Sequence, residues 1–126
     1  MSEPMLPGEA RFWDLAQPLL GQPDVTRSTM MGLPCLRWNG AFFASCDRRT
    51  GDLLVKLAET RVDELVASER AQPFAPAGRR FREWAAIPDH RSRSWKRLLD
   101  EALEFAINQP AAVKKNRRAR SAVRRR

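Results

Sequence analysis

Two short apolar runs flank the dipeptide Asn39-Gly40, and this arrangement constrains the fold more than any other feature of the chain. Asn-Gly is a strong hairpin signal, because a type I′ turn requires a positive φ at both central residues. A third apolar run, residues 53–57, follows a turn rich in Asp, Thr and Gly. Together with a first strand at residues 25–30, these runs predict an antiparallel meander.

Three helices are predicted outside the meander. Residues 9–20 carry an apolar stripe at helical spacing. Pro18 is expected to kink this helix or to end it early, because proline lacks a backbone donor and clashes with the preceding turn. A short second helix is predicted for residues 60–70. The clearest helix begins at Trp95 and ends before Pro110.

One further strand is predicted beyond the meander, at residues 81–87 with Trp84 at its centre. Residues 72–78 contain two prolines and a glycine, and they predict a turn-rich connection anchored by Phe74. The element order is then α-β-β-β-β-α-β-α. It predicts the α+β class, with an antiparallel sheet formed by the meander at residues 25–57 and the later strand, packed by N- and C-terminal helices.

Cys35 and Cys46 are the two cysteines of the chain. The hairpin register set by Asn39-Gly40 predicts that Cys35 faces Ala44 and that Cys46 lies one diagonal step away, on the same face. That diagonal is about 7 Å, which is too long for a disulfide bond. Two buried thiols are therefore expected, as in a reduced cytoplasmic protein.

Basic residues accumulate at the C-terminal end of the chain. Residues 110–126 contain eight of them and no acid: Lys114, Lys115, Arg117, Arg118, Arg120, Arg124, Arg125 and Arg126. The other 15 Lys and Arg residues equal the 15 Asp and Glu residues of the chain, so residues 1–109 are formally neutral. We expect a single domain at residues 1–109 and a flexible basic tail at residues 110–126, suited to phosphate backbones. The alternative is a solubilising extension with incidental affinity for nucleic acid.

A second group of basic residues is predicted to lie on or beside the strands. These candidates for an anion-binding face are Arg27, Arg37, Lys56, Arg79 and Arg80, with Arg82 close behind. The alternative is an ordinary solvated rim, because basic residues at sheet edges also protect against edge-to-edge pairing.

The sequence contains no constellation that predicts catalysis. His90, the only histidine, falls in a loop and has no nucleophile beside it in the sequence. Two thiols and one distant histidine do not make a zinc site, and no glycine-rich phosphate-binding motif is present. We expect no cofactor and no enzymatic activity. No signal peptide and no membrane-spanning segment are predicted.

Several short segments form a further pattern in a fixed order. They are Met31-Gly32-Leu33-Pro34-Cys35-Leu36, Gly40-Ala41-Phe42-Phe43-Ala44, Leu54-Val55-Lys56-Leu57, then Phe74, Pro76, Gly78 and Trp84, and a closing helix with Trp95, Ala102 and Phe105. In this order they resemble the TfoX N-terminal domain and the related MmcQ/YjbR group, over roughly residues 10–107. The resemblance implies a small α+β domain with DNA-related or regulatory roles, and it implies no established catalytic residues.

Two functions from different classes follow. The leading hypothesis is a non-enzymatic regulatory or interaction module, with a protein partner as a further option, whose tail binds nucleic acid without sequence preference. The alternative is a small-ligand-binding module with an incidental tail. A concave pocket lined by Trp38 and Trp84 together with basic residues would favour the alternative.

Overall fold

The computed structural model describes residues 7–30, 32–75 and 78–109. Within them lie three helices: α1 (Pro7–Leu20), α2 (Glu59–Ala67) and α3 (Trp95–Ile107). The strands are β1 (Val25–Met30), β2 (Leu33–Trp38), β3 (Ala41–Cys46), β4 (Leu53–Lys56), β5 (Gln72–Phe74) and β6 (Phe81–Ile87). A 3-10 turn, Asp89–Ser94, leads directly into α3.

The strands form one antiparallel sheet in the order β1-β2-β3-β4-β6-β5. The predicted meander is β1 to β4 and the predicted later strand is β6, so the α+β class is confirmed. The sequence did not predict β5, which lies in the segment expected to be a connection. β5 is a three-residue edge strand that contains Pro73, a residue that sheets tolerate only where no ladder donor is needed.

α1 continues through Pro18 to Leu20, so it does not end early. The other expected outcome, a kink at Pro18, stays a prediction. Pro18 lies in the last turn, so only two further residues, Leu19 and Leu20, have to remain helical beyond the proline. The backbone N–H of Gly21 donates to the Pro18 carbonyl at 3.3 Å and closes the helix. Leu19 is buried beyond the proline, and its packing keeps the last turn helical.

The three helices pack against one face of the sheet. Their buried residues join those of the strands in one helix-side core, which includes Phe12 of α1, Leu65 of α2, Leu99 of α3 and Val55 of β4. The opposite face carries a smaller outer cluster. Its buried members are Leu54, Phe74 and Ala86, and the half-buried Leu33, Phe81 and Trp84 pack against them. No helix of the described ranges is long and apolar enough to cross a membrane.

The hairpin turn has the predicted conformation, with φ of 51° at Asn39 and 89° at Gly40. Both values belong to a type I′ turn. The register holds for the first two pairs beyond the turn and then shifts by a β-bulge next to Arg37. The predicted pairing of Cys35 with Ala44 is therefore wrong, since Ala44 pairs with Leu36.

The bulge also separates the two cysteines. Cys35 pairs with Ser45, which pairs with Leu54 of the outer cluster, whereas Cys46 belongs to the helix-side core. Directly paired residues of antiparallel strands point to the same face. The expectation of a shared face is thus wrong. The expectation of two buried thiols is confirmed, because both cysteines are free and fully buried.

Candidate anion-binding site

Most basic side chains of the described residues are ion-paired. The pairs are Arg11–Asp89, Arg48–Glu9, Arg49–Asp47, Lys56–Glu83, Arg61–Glu64, Arg61–Glu101, Arg80–Asp63, Arg82–Glu59 and Lys96–Asp100. Seven arginines have no carboxylate oxygen within 4 Å among the described residues, and three of them, Arg27, Arg37 and Arg79, lie over aromatic rings. The other four, Arg70, Arg91, Arg93 and Arg97, have neither a carboxylate nor an aromatic partner in the part of the chain that the structure describes.

Three of these four arginines line one concave site, which we call the arginine hollow. Its lining residues are Arg70, Asp89, His90, Arg91, Ser92, Arg93 and Ser94, and its volume is about 380 Å³. The only carboxylate in this lining, Asp89, is ion-paired with Arg11 of α1. The lining therefore presents positive charge, hydroxyl groups and the imidazole of His90, and it contains no Phe, Trp, Leu, Ile or Val side chain.

A second, narrow hollow of about 30 Å³ adjoins the first and shares Arg70 and Ser94 with it. It adds Arg97 from α3 and Arg61 from α2. Arg61 is already neutralised, because its Nε lies 2.8 Å from an oxygen of Glu101 and the side chain also pairs with Glu64. Hydrogen bonds to these two carboxylates raise the pKa of Arg61. Arg97 thus extends the unpaired charge of the arginine hollow along the start of α3.

The site lies at the connection between β6 and α3. Trp95, the first residue of α3, is fully buried and anchors the start of the helix in the core. Ser94 does not cap α3; its hydroxyl donates to the carbonyl of Arg91 at 2.9 Å instead. The Arg11–Asp89 pair ties the beginning of the turn to α1. The turn is therefore held at both ends, while Arg91 and Arg93 point from it into solvent.

Arg70 reaches the hollow from the other side, just beyond the end of α2. Its Nε donates to the Ser68 hydroxyl at 2.9 Å, and that hydroxyl donates to the carbonyl of Glu64 at 2.9 Å. One nitrogen of the guanidinium is thereby fixed to the end of α2. The terminal nitrogens, which carry most of its donors, stay available.

The candidates for an anion-binding face lie in different places. Arg27 of β1 stacks on Trp13 of α1, with 4.2 Å between the guanidinium carbon and the ring centroid, so it lies on the helix side. Arg37 of β2 stacks on Phe42 at 4.3 Å, and it lies on the opposite side, because it follows Leu36 of the helix-side core. The structure does not bring these two candidates together.

The other three candidates are engaged with neighbours. The ammonium nitrogen of Lys56 lies 3.9 Å from Glu83, and Arg80 pairs with Asp63 of α2 at 3.1 Å. Arg79 lies over the ring of Phe81, 5.9 Å from its centroid. The eight tail candidates, Lys114, Lys115, Arg117, Arg118, Arg120, Arg124, Arg125 and Arg126, lie outside the described residues.

The arginine hollow was not predicted from the sequence, which indicated only that His90 lies in a loop. His90 is exposed and lines the hollow. A signal was present, because residues 90–99 contain His90 and four basic residues but no acid. Arg70 gave no such signal, since it lies twenty positions away and reaches the site only through the packing of α2.

The two thiols are poor nucleophiles and poor metal ligands. Burial raises the pKa of both, and the nearby carboxylates of Glu9 and Asp47 add to the rise at Cys46, where the pKa reaches about 12. Arg37 and a hydrogen bond with Ser28 offset part of the rise at Cys35. Across the described ranges, no group of three or more His, Cys, Asp and Glu side chains is arranged to hold a metal ion.

The two tryptophans considered for a ligand pocket lie on opposite faces of the sheet. Trp38 packs against the helix-side core, and Trp84 packs in the outer cluster, with its ring centroid 6.5 Å from that of Phe74. They do not line a common pocket.

Comparison of the chain with protein-family models, curated proteins and solved structures finds no match. The resemblance to TfoX and YjbR domains stays a prediction.

Proposed function

We propose that the protein is a non-enzymatic TfoX/YjbR-like interaction module that binds nucleic acid without sequence preference, through contacts to the phosphate backbone. Two regions make these contacts: the basic tail, residues 110–126, and the four unpaired arginines around the hollows. Because both thiols are free and buried, we further propose a cytoplasmic location.

One observation carries this proposal: the segregation of charge on a neutral body. Residues 1–109 have no net charge, yet Arg70, Arg91, Arg93 and Arg97 have no carboxylate partner among the described residues. Unpaired guanidinium groups attract phosphate oxygens and release the counterions condensed on a nucleic acid. Such contacts carry no base information, so sequence should matter little.

The test is fluorescence anisotropy of labelled duplexes of unrelated sequence, titrated with the full-length protein at several salt concentrations. If four to eight tail cations displace counterions, log K against log salt should have a slope of roughly −3.5 to −7, with a further contribution from the hollows. Replacing the eight tail cations by glutamine in the full chain should leave a slope no steeper than about −3.6, the value for four remaining arginines.

A control variant separates local contacts from a general loss of charge. Arg27→Gln/Arg79→Gln removes two exposed arginines that line neither hollow. This variant should retain most of the affinity, whereas Arg91→Gln/Arg93→Gln should lose about two units of slope. Absence of binding by the full-length protein at low salt would overturn the proposed function.

The small-ligand alternative is favoured by one observation, the size of the arginine hollow. Its volume of about 380 Å³ lies at the lower end of the range of about 300–1,000 Å³ that small-molecule sites occupy. Isothermal titration with small phosphorylated compounds, in the absence of nucleic acid, tests this second candidate.

A further inference from the structure

We infer that the arginine hollow is a binding site for one phosphate monoester, in addition to any contacts it makes along a nucleic-acid backbone. The inference rests on the same cationic surface as the proposed function, but it names a distinct ligand. The ligand is a terminal phosphate group, either at the end of a nucleic-acid strand or on a small phosphorylated molecule.

The charge of the lining favours a dianion. Three guanidinium groups, those of Arg70, Arg91 and Arg93, line one concave site, and the Asp89 carboxylate in the lining is engaged by Arg11. A phosphate monoester carries a charge of about −1.5 to −2 at pH 7 and three strong acceptor oxygens. A backbone phosphodiester carries a single charge and two free oxygens. The monoester therefore neutralises this lining better.

The lining has few features that would select an organic scaffold. The residues around the hollow offer guanidinium, hydroxyl, imidazole and carboxylate groups but no aromatic ring of Phe or Trp and no Leu, Ile or Val side chain. Small-molecule sites that select an organic scaffold are mostly apolar. The hollow therefore recognises a charged group, and the rest of the ligand extends towards solvent.

The donors around the hollow are partly fixed in advance. The bond from Arg70 Nε to Ser68 holds one guanidinium, and the bond from the Ser94 hydroxyl to Arg91 holds the turn that carries the other two. Fixing donors before binding lowers the entropy lost on binding. Guanidinium groups are donors only and suit the bidentate geometry of a phosphate.

The experiment compares two single-stranded oligonucleotides of one sequence, with a 5′-phosphate or a 5′-hydroxyl, on the full-length protein. One additional charge-assisted contact predicts about tenfold tighter binding of the phosphorylated strand. Arg91→Gln/Arg93→Gln should abolish this preference, and the charge-matched control Arg27→Gln/Arg79→Gln should retain it. Arg91→Gln/Arg93→Gln should melt at the wild-type temperature, because neither side chain has an ion pair or a ring contact in the described residues. The control should melt slightly lower, because it loses the contacts of Arg27 with Trp13 and of Arg79 with Phe81.

A second measurement uses inorganic phosphate, followed by the width of its ³¹P signal. Broadening by the full-length protein that is lost only in Arg91→Gln/Arg93→Gln supports the site. If this broadening occurs but the protein binds neither oligonucleotide, the site stands and its ligand is a small phosphorylated molecule. The proposed nucleic-acid-binding function then fails. Measurable and equal binding of both strands, together with no phosphate broadening that depends on Arg91 and Arg93, overturns the inference and leaves nucleic-acid binding standing. An equal loss of preference in the control variant also overturns it, because net charge would then be the cause.

Discussion

The two faces of the sheet are built from the same strands, yet they differ in how they are covered. On β4, Leu53 and Val55 point into the helix-side core, while Leu54 between them points to the outer cluster, and all three are fully buried. Three helices cover the first face. The second face is closed by half-buried aromatic and aliphatic side chains of the strands, with Leu33, Phe81 and Trp84 among them.

The difference explains the composition of each face. A strand buried on both sides loses the polar alternation of a surface strand, and β3 and β4 are of this kind. The helix-side core is formed by apolar side chains, but it too buries a polar atom without a hydrogen-bond partner in the described residues, the Nε1 of Trp95. The outer face also buries polar atoms, including the Ser45 hydroxyl, which donates to the Pro34 carbonyl at 2.7 Å, and Arg37 Nε, which has no hydrogen-bond partner within the described residues. The helix-side core is the larger cluster and is covered by three helices, so we expect it to be the more rigid of the two faces.

The most direct test compares Leu53→Ala with Leu54→Ala, two identical substitutions at adjacent, fully buried positions. The loss of a buried leucine costs about 2–5 kcal/mol, depending on how well the site collapses around the cavity. We expect Leu53→Ala at the upper end, because three helices hold its surroundings, and Leu54→Ala at the lower end. Urea denaturation measures both. A larger loss for Leu54→Ala would show that the outer face is the better packed one.

A second test weakens the attachment of the helix layer to the sheet. Gly8 of α1 contacts the backbone of Gly51, and a Cβ added at Gly8 would lie 2.8 Å from the Gly51 Cα. Because backbone cannot move aside as a side chain does, Gly8→Ala should cost about 1–3 kcal/mol. Gly21→Ala is the control, since its Cβ would meet only an ordinary contact at 3.4 Å. Equal stability of the two variants would show that α1 shifts without cost.

Features set by neighbouring residues in the sequence were predictable. Asn39-Gly40 fixes the turn through its own φ values, and the helical spacing of Trp95 to Ala106 fixes α3. The bulge beside Arg37 was not predictable from the turn, because it depends on how Phe43 and Ala44 both reach the helix-side core. β5 was missed because a short edge strand with a proline resembles a loop in sequence.

The candidate site was harder to predict than the fold, since the state of a charge depends on distant partners. Asp89 would offset one of the two positive charges of the turn if Arg11, 78 positions away, did not engage it. Arg80 and Arg82 are prominent in the sequence but are paired with residues of α2. Composition identifies where arginines are, and only tertiary structure decides which of them remain available.

A smaller effect is expected from the buried hydroxyl of the outer face. Ser45→Ala removes the bond to the Pro34 carbonyl and leaves that acceptor without this donor at a buried position. The expected cost is about 1 kcal/mol. Thermal denaturation at matched pH measures it. An unchanged stability would mean that water reaches the Pro34 carbonyl and replaces the lost donor. The outer face would then be more open to solvent than its burial indicates.

The smallest effect concerns the two thiols, one on each face, and it is a dependence on pH. An ordinary cysteine in the unfolded chain has a pKa of 9.0, whereas burial raises the pKa of Cys46 to about 12 in the folded protein. Between these values the folded state holds a proton that the unfolded state has lost, so stability must fall as the pH rises above 9. Below pH 9 both states are protonated and the thiol contributes no slope. The pKa of Cys35 is raised in the same direction, but Arg37 and Ser28 offset part of the rise, so its slope should be weaker.

The chain has no tyrosine, which leaves few other side chains to titrate between pH 8 and about 10. Denaturation under reducing conditions across this range measures the slope of the free energy of unfolding against pH. This slope should be clearly smaller in Cys46→Ala than in the wild type and little changed in Cys35→Ala. At about pH 9.5 the pH-dependent loss of stability should differ between the wild type and Cys46→Ala by less than about 1 kcal/mol. A constant offset from the lost sulfur does not affect a slope. If Cys46→Ala leaves the slope of the wild type, the Cys46 thiol is not shielded from water, and the contrast between a closed and a more open face fails at this position.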